Sequence, residues 1–131
     1  MVYLHGALGA GKTTLAQGFI RAGGVAGPVR SPTYTLVQAY GSGAAAVVHL
    51  DLYRLRSEDE TEHLGLADWA VPGAVWLVEW PERAAGALPP ADVRVALSFA
   101  SDAHVAELSA DSAAGIAWLE RLSREPGERP A

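Results

Sequence analysis

Short apolar runs alternate along this chain with clusters of glycine, proline and small polar residues, a spacing that predicts the strands and short helices of a layered domain. Val2-Tyr3-Leu4 reads as a buried strand. The residues from Thr14 to about Ala22 read as a helix, stopped by Gly23-Gly24, a pair suited to a left-handed C-terminal cap. Gly18 inside that helix costs about 1 kcal/mol against alanine, which close packing on a sheet would offset. Residues 25–33, VAGPVRSPT, read as a loop. The runs from Tyr34 to Tyr40 and from Ala46 to Tyr53, joined through Gly41-Ser42-Gly43, predict an antiparallel hairpin.

In the second half, Ser57-Glu58-Asp59-Glu60 has the form of a capping box, and it predicts a short helix to about Leu64. Leu66 to Trp69 makes a further turn before Pro72-Gly73 ends the segment. Ala74 to Trp80 is a nearly continuous apolar run, the pattern of a strand buried on both faces. Pro81 suits the first position of a short helix running to Ala85. Val93 to Phe99 alternates cleanly, and Val105 to Leu108 answers it across Ser101-Asp102-Ala103, so a second hairpin is predicted. Asp111 or Ser112 then caps a helix whose Ile116, Leu119 and Leu122 line one face.

The predicted class is α/β: a single domain over residues 1–122 with a mixed parallel and antiparallel sheet flanked by helices, followed by a charged, disordered tail at 123–131. The first hairpin makes the sheet mixed, because a pure βαβ unit would place a crossover helix there. The 131-residue length fits one domain. A net charge of -5 leaves no broad basic face, so direct stable binding of nucleic acid is not expected. The absence of cysteine excludes a disulfide framework, a thiol nucleophile and a cysteine-bound zinc. No apolar run has the length of a membrane span and no signal peptide precedes the first strand, so the expectation is a cytoplasmic protein without a membrane partner.

The chemistry concentrates at Gly6 to Thr13, GALGAGKT, which satisfies G-x-x-x-x-G-K-[ST] between a predicted strand and a predicted helix. In such a loop successive backbone N–H groups, from Gly9, Ala10, Gly11 and on into Thr14, converge on phosphate oxygens, backed by the helix N-terminus. Lys12, the only lysine in the chain, can reach the β- and γ-phosphates of ATP, and the Thr13 hydroxyl can ligate Mg²⁺. Asp51 and Glu79 each follow an apolar strand, where the carboxylate ligand of a Mg²⁺ site belongs. The loop Ser31-Pro32-Thr33-Tyr34-Thr35 offers hydroxyls for a switch that senses the γ-phosphate. Trp80 can stack on a base or gate the pocket. Arg54 and Arg83 either counter phosphate charge or pair with the acids from Glu58 to Glu62. His5, His49, His63 and His104 have no metal-ligand spacing and read as structural or solvated. On these residues a small-molecule kinase and a non-hydrolysing, nucleotide-dependent binding subunit both remain open beside an ATP hydrolase.

Taken together, GALGAGKTT at Gly6 to Thr14, SPTYTLV at Ser31 to Val37, HLDLYRL at His49 to Leu55 and VEWPER at Val78 to Arg83 resemble the TsaE (YjeE) family, the bacterial ATPases of tRNA threonylcarbamoyladenosine formation. The resemblance runs from Val2 to about Leu122. It implies a P-loop fold and an ATPase that is weak alone and coupled to the TsaD–TsaB pair, in which TsaD transfers the threonylcarbamoyl group to adenosine 37 of tRNA. It implies that Lys12 holds the phosphates of ATP or ADP and that Thr13 and Asp51 serve Mg²⁺. Glu79 would ligate the metal or orient the attacking water, Thr33 and Thr35 would belong to a switch-like loop, and Trp80 would lie near the nucleotide. Ala7 stands where the family typically has an acidic residue. The family also carries a helix and strands ahead of the glycine loop, so a sheet lacking that N-terminal segment is expected.

Overall fold

Six strands form one sheet in the order β2-β3-β4-β1-β5-β6 in a computed structural model that describes residues 1–25, 28–32, 34–41 and 46–124. The strands are β1 (Val2–His5), β2 (Val37–Tyr40), β3 (Val47–Asp51), β4 (Val75–Glu79), β5 (Val93–Ala100) and β6 (Ala103–Ala110). β3, β4, β1 and β5 run parallel, while β2 and β6 pair antiparallel on the two edges. The expected mixed sheet is therefore observed, and β1, which leads into the glycine loop, lies between β4 and β5. Parallel neighbours end at the same sheet edge, and the register places Asp51 opposite Glu79.

Alternation along the central strands sends side chains to two cores. Helices α1 (Lys12–Ala22) and α2 (Ala113–Arg124) cover one face, where Val2, Leu4, Leu77, Val93 and Val95 meet Ala16 and Ile20. The other face buries Tyr3, Val48, Leu50, Trp76 and Val78 under Leu52, Leu55, Ala84 and Leu88. The segments covering that second face, Glu58–Leu64, Leu66–Trp69 and Pro81–Ala84, are 3₁₀ helices rather than α-helical turns. Ser57 makes no side-chain cap; Glu60 instead accepts the Arg56 N–H at 3.0 Å. Glu58 ties two of these segments together by accepting the Gly86 N–H at 2.9 Å.

Several local expectations are corrected. β2 begins at Val37 rather than Tyr34, because Leu36 adopts φ +67° and the Leu36 amide bonds to the Pro32 carbonyl at 2.8 Å, closing a turn over Tyr34 and Thr35. The second hairpin is longer and tighter than expected, with Ala100 paired to Ala103 across Ser101-Asp102. Gly18 does not pack on the sheet: a β-carbon there would meet open space. The inward face of α2 is set by Gly115, with Trp118 and Leu119 beside it, while Ile116 is 53% exposed. A β-carbon on Gly115 would lie 2.0 Å from the Asp92 carbonyl oxygen, so glycine sets the closest approach of this helix to the sheet. α2 continues through Arg124, and residues 125–131 of the expected tail lie outside the described residues.

A candidate nucleotide-binding cleft

The glycine loop leaves β1 at Gly6 and enters α1 at Lys12. Its conformation needs glycine at particular places. Gly11, the N-cap of α1, has φ +102°, and a β-carbon on Gly6 would come within 2.7 Å of the Leu97 carbonyl oxygen. Among the described residues no side chain caps α1, and no acidic residue occupies its first turn, so the helix itself brings no anion to the partial positive charge there.

A cleft of about 430 Å³ opens above this turn, lined by residues of the loop and α1 (Gly9, Gly11, Lys12, Thr13, Thr14) and by Asp51, Glu79 and Trp80. Leu8, Tyr53 and Arg54 complete the lining. Lys12 is buried, and its ammonium donates to the carbonyls of Gly6 at 2.6 Å and Ala7 at 2.9 Å while lying 4.3 Å from the centre of the Trp80 ring. Burial holds its pKa below the ordinary lysine value, against the opposing pull of the negative charges on Glu79, Asp51 and Glu82.

The Thr13 hydroxyl donates to Glu79 Oε1 at 2.7 Å, and Glu79 Oε2 lies 2.7 Å from His49 Nε2. Asp51 Oδ1 accepts the Tyr53 amide at 3.1 Å. Burial raises the Asp51 carboxyl above the usual carboxylate range; the Tyr53 hydrogen bond opposes that shift and the neighbouring Glu79 charge adds to it. Thr13, Asp51 and Glu79 thus form an all-oxygen donor set on one cleft wall. Such a set suits Mg²⁺, a hard cation that keeps water and phosphate oxygens in its remaining positions.

Trp80 follows β4 in the left-handed region, φ 58° and ψ 50°, a conformation costing a non-glycine residue of order 1–2 kcal/mol. This turn carries the indole back over Lys12 and against Tyr53, 5.0 Å between ring centres. Arg83 stacks on Tyr53 and Arg54 on Tyr34. Among the described residues neither arginine forms an ion pair with the acids from Glu58 to Glu62.

Of the residues singled out from the sequence, Gly9, Gly11, Lys12, Thr13, Thr14, Asp51, Glu79 and Trp80 meet at the cleft. Ala10 is buried behind it, its amide bonded to the Ala7 carbonyl at 3.0 Å. Thr35 is exposed, accepts from the Gln38 side chain at 3.3 Å and does not line the cleft; Thr33 lies outside the described residues. Two histidines read as structural or solvated contact the site. His49 touches Glu79, and His104, brought across by β6, hydrogen-bonds through Nδ1 to the Ala10 carbonyl at 3.1 Å. The sequence around His49 marks only a strand position, structural or solvated, and the His104 contact depends on sheet order, which no local pattern encodes.

Comparison with known proteins adds to this geometry. The family described as "Threonylcarbamoyl adenosine biosynthesis protein TsaE" matches residues 1–108. Relatives named tRNA threonylcarbamoyladenosine biosynthesis protein TsaE include one from Haemophilus influenzae, 44% identical over 88% of this chain and 73% of its own length. One from Bacillus subtilis is 39% identical over 76% of this chain, and one from Synechocystis is 44% identical over 63%. The chain spans 61% and 55% of the length of those two. Among solved structures, Bacillus subtilis YdiB superposes with a TM-score of 0.68 at 29% identity, covering 94% of this chain and 76% of that one.

Proposed function

The chain belongs to the TsaE family of tRNA threonylcarbamoyladenosine biosynthesis proteins, and from that premise we propose that it binds MgATP in the cleft above α1 and hydrolyses it in concert with TsaD and TsaB. The observation that carries this reading is the convergence of Lys12, Thr13, Asp51 and Glu79 on one cleft at the mouth of a glycine loop. The fold supports it, since ligands of open α/β sheets bind beyond the carboxyl ends of the strands, where β1, β3 and β4 all end here.

On binding, the first-turn amides of α1 take the phosphate oxygens, and Lys12 exchanges the Gly6 and Ala7 carbonyls for the β- and γ-phosphates. Thr13, Asp51 and Glu79 would hold Mg²⁺, which would supply positive charge to offset that of the phosphates. The Thr13 hydroxyl gives up its bond to Glu79 Oε1, freeing that oxygen toward the cleft. Glu79 would then orient a water through Oε1 or help hold the metal. The water oxygen bonds to the γ-phosphorus as the bond to the β–γ bridging oxygen breaks, leaving ADP and phosphate, with the water's proton passing to phosphate or solvent. Trp80, over Lys12, limits solvent access from one side.

In this reading the protein does not transfer the threonylcarbamoyl group. It resets the TsaD–TsaB complex between turnovers in the cytoplasm, without a tRNA site of its own. Among the described residues no helix is long and apolar enough to cross a membrane. The test is steady-state phosphate release by the purified chain, alone and with TsaD–TsaB and tRNA. Slow release alone and a rise on adding the partners is expected. Release unchanged by the partners, or transfer of phosphate to a small-molecule acceptor, would overturn it.

A further inference from the structure

We propose that His49 is a positioning residue that fixes the Glu79 carboxylate so that a single oxygen, Oε1, serves the cleft; the proposal rests on the reading of that cleft as a MgATP site. His49 sits in β3 with no solvent exposure, and its register partner is Leu77, so Glu79 is its diagonal neighbour on the same sheet face. Nε2 lies 2.7 Å from Glu79 Oε2, while Oε1 accepts from the Thr13 hydroxyl at the cleft.

The ring's other nitrogen gives the reason to look beyond packing. Nδ1 is buried and has no hydrogen-bond partner among the described residues. A leucine here would fill similar volume with no orphaned acceptor, so His49 carries a destabilising feature that apolar packing does not require. A proton on Nδ1 would have no acceptor. The ring's proton therefore belongs on Nε2, which donates to Oε2.

A glutamate's terminal torsion is broad and nearly two-fold, so an untethered carboxylate presents either oxygen at several angles. His49 removes that freedom from behind. Oε2 is tied into the sheet, and Oε1 faces Thr13, available to metal or water once the hydroxyl turns away. His49 does not line the cleft, and its hydrogen bond to the site is the one to Glu79.

The test compares wild type with His49→Leu, which keeps bulk and loses the donor, and His49→Gln, which keeps an N–H donor. ADP affinity is titrated calorimetrically on the full chain, with Mg²⁺ and with EDTA. His49→Leu should bind ADP in EDTA within about twofold of wild type yet lose about tenfold or more of the Mg²⁺-dependent gain, a loss typical of removing the partner of a metal-site ligand. His49→Gln should recover most of it, and in a Glu79→Gln background His49→Leu should change affinity by no more than about twofold. Equal loss in Mg²⁺ and EDTA, or a full Mg²⁺-dependent gain in His49→Leu, overturns the proposal. Nitrogen-15 NMR of the wild-type imidazole gives a check independent of any variant: an Nε2-protonated ring is expected, and an Nδ1-protonated ring overturns it. A wild type that binds no ADP under either condition refutes the cleft reading instead, an outcome distinguishable from both.

Discussion

Lys12→Met separates what the lysine does for the fold from what it does for the ligand. In the empty cleft the ammonium makes two hydrogen bonds, at 2.6 and 2.9 Å, and a cation–π contact at 4.3 Å. Charge-assisted hydrogen bonds contribute about 1.5–3 kcal/mol each, and a cation–π contact about 0.5–1. Taking the ammonium out of water costs several kcal/mol, the same effect that lowers its pKa. These contributions offset one another. Methionine keeps the stem's volume, and because Gly6 is only partly buried and Ala7 is exposed, water can take over their carbonyls. Chemical denaturation of the free protein should therefore shift by no more than about 1 kcal/mol. Phosphate, being charged, is a stronger acceptor for the ammonium than the carbonyls it replaces, and loss of its charged donor should cost about 3 kcal/mol, roughly 150-fold in Kd. At nucleotide one hundred times the wild-type Kd, ligand stabilisation should be about 2.7 kcal/mol for wild type and about 0.3 for Lys12→Met. Equal ligand stabilisation of the two proteins would refute the assignment. Loss of more than about 2 kcal/mol without ligand would show that the lysine holds the loop rather than the phosphates.

Two helix glycines should respond in opposite directions. In chemical denaturation Gly18→Ala, with open space at the β-carbon, should stabilise by about 0.5–1 kcal/mol, and Gly115→Ala, facing the Asp92 carbonyl at 2.0 Å, should destabilise by about 2 kcal/mol or more. The Asp92 carboxyl is held below the usual range chiefly by the Ser112 hydroxyl at 2.6 Å. A depressed folded-state pKa gives stability that is complete above about pH 4 and is lost as pH falls through the depressed value. Asp92→Asn should thus be less stable than wild type at pH 6, with the difference vanishing in strong acid during urea titrations. His104→Ala should weaken ADP binding about fivefold, as expected for one hydrogen bond to the loop, and His104→Asn should recover part of the loss by calorimetry.

How much of this was legible in the sequence depends on the range of the interaction involved. The glycine loop is local, and its spacing carries its chemistry. Asp51 and Glu79 were readable because an acid at the end of an apolar parallel strand has to lie on the common edge, and the register puts them side by side. The apolar run from Ala74 to Trp80 likewise announced a central strand, and the hairpin at Val37–Tyr40 the mixed sheet. What was not readable is non-local or sterically unfavourable. His49 reads as a structural or solvated strand residue until the diagonal partner Glu79 is known. His104 reaches the loop only because β5 pairs with β1 and β6 with β5. Leu36 and Trp80 adopt positive φ, which nothing in their residue types signals. The face of α2 was misjudged because a glycine, invisible to a hydrophobic pattern, makes its closest contact. Thr35 was placed near the phosphates by its loop, whereas the turn closed at Leu36 leaves it exposed.

Whether the cleft above α1 binds MgATP is measured by isothermal titration of the full chain with a non-hydrolysable ATP analogue, with and without Mg²⁺. Saturable binding at one site per chain is expected, tighter with Mg²⁺, with loss of that Mg²⁺ dependence in Asp51→Asn. Absence of saturable binding, or binding indifferent to both Mg²⁺ and Asp51→Asn, would contradict a MgATP site there.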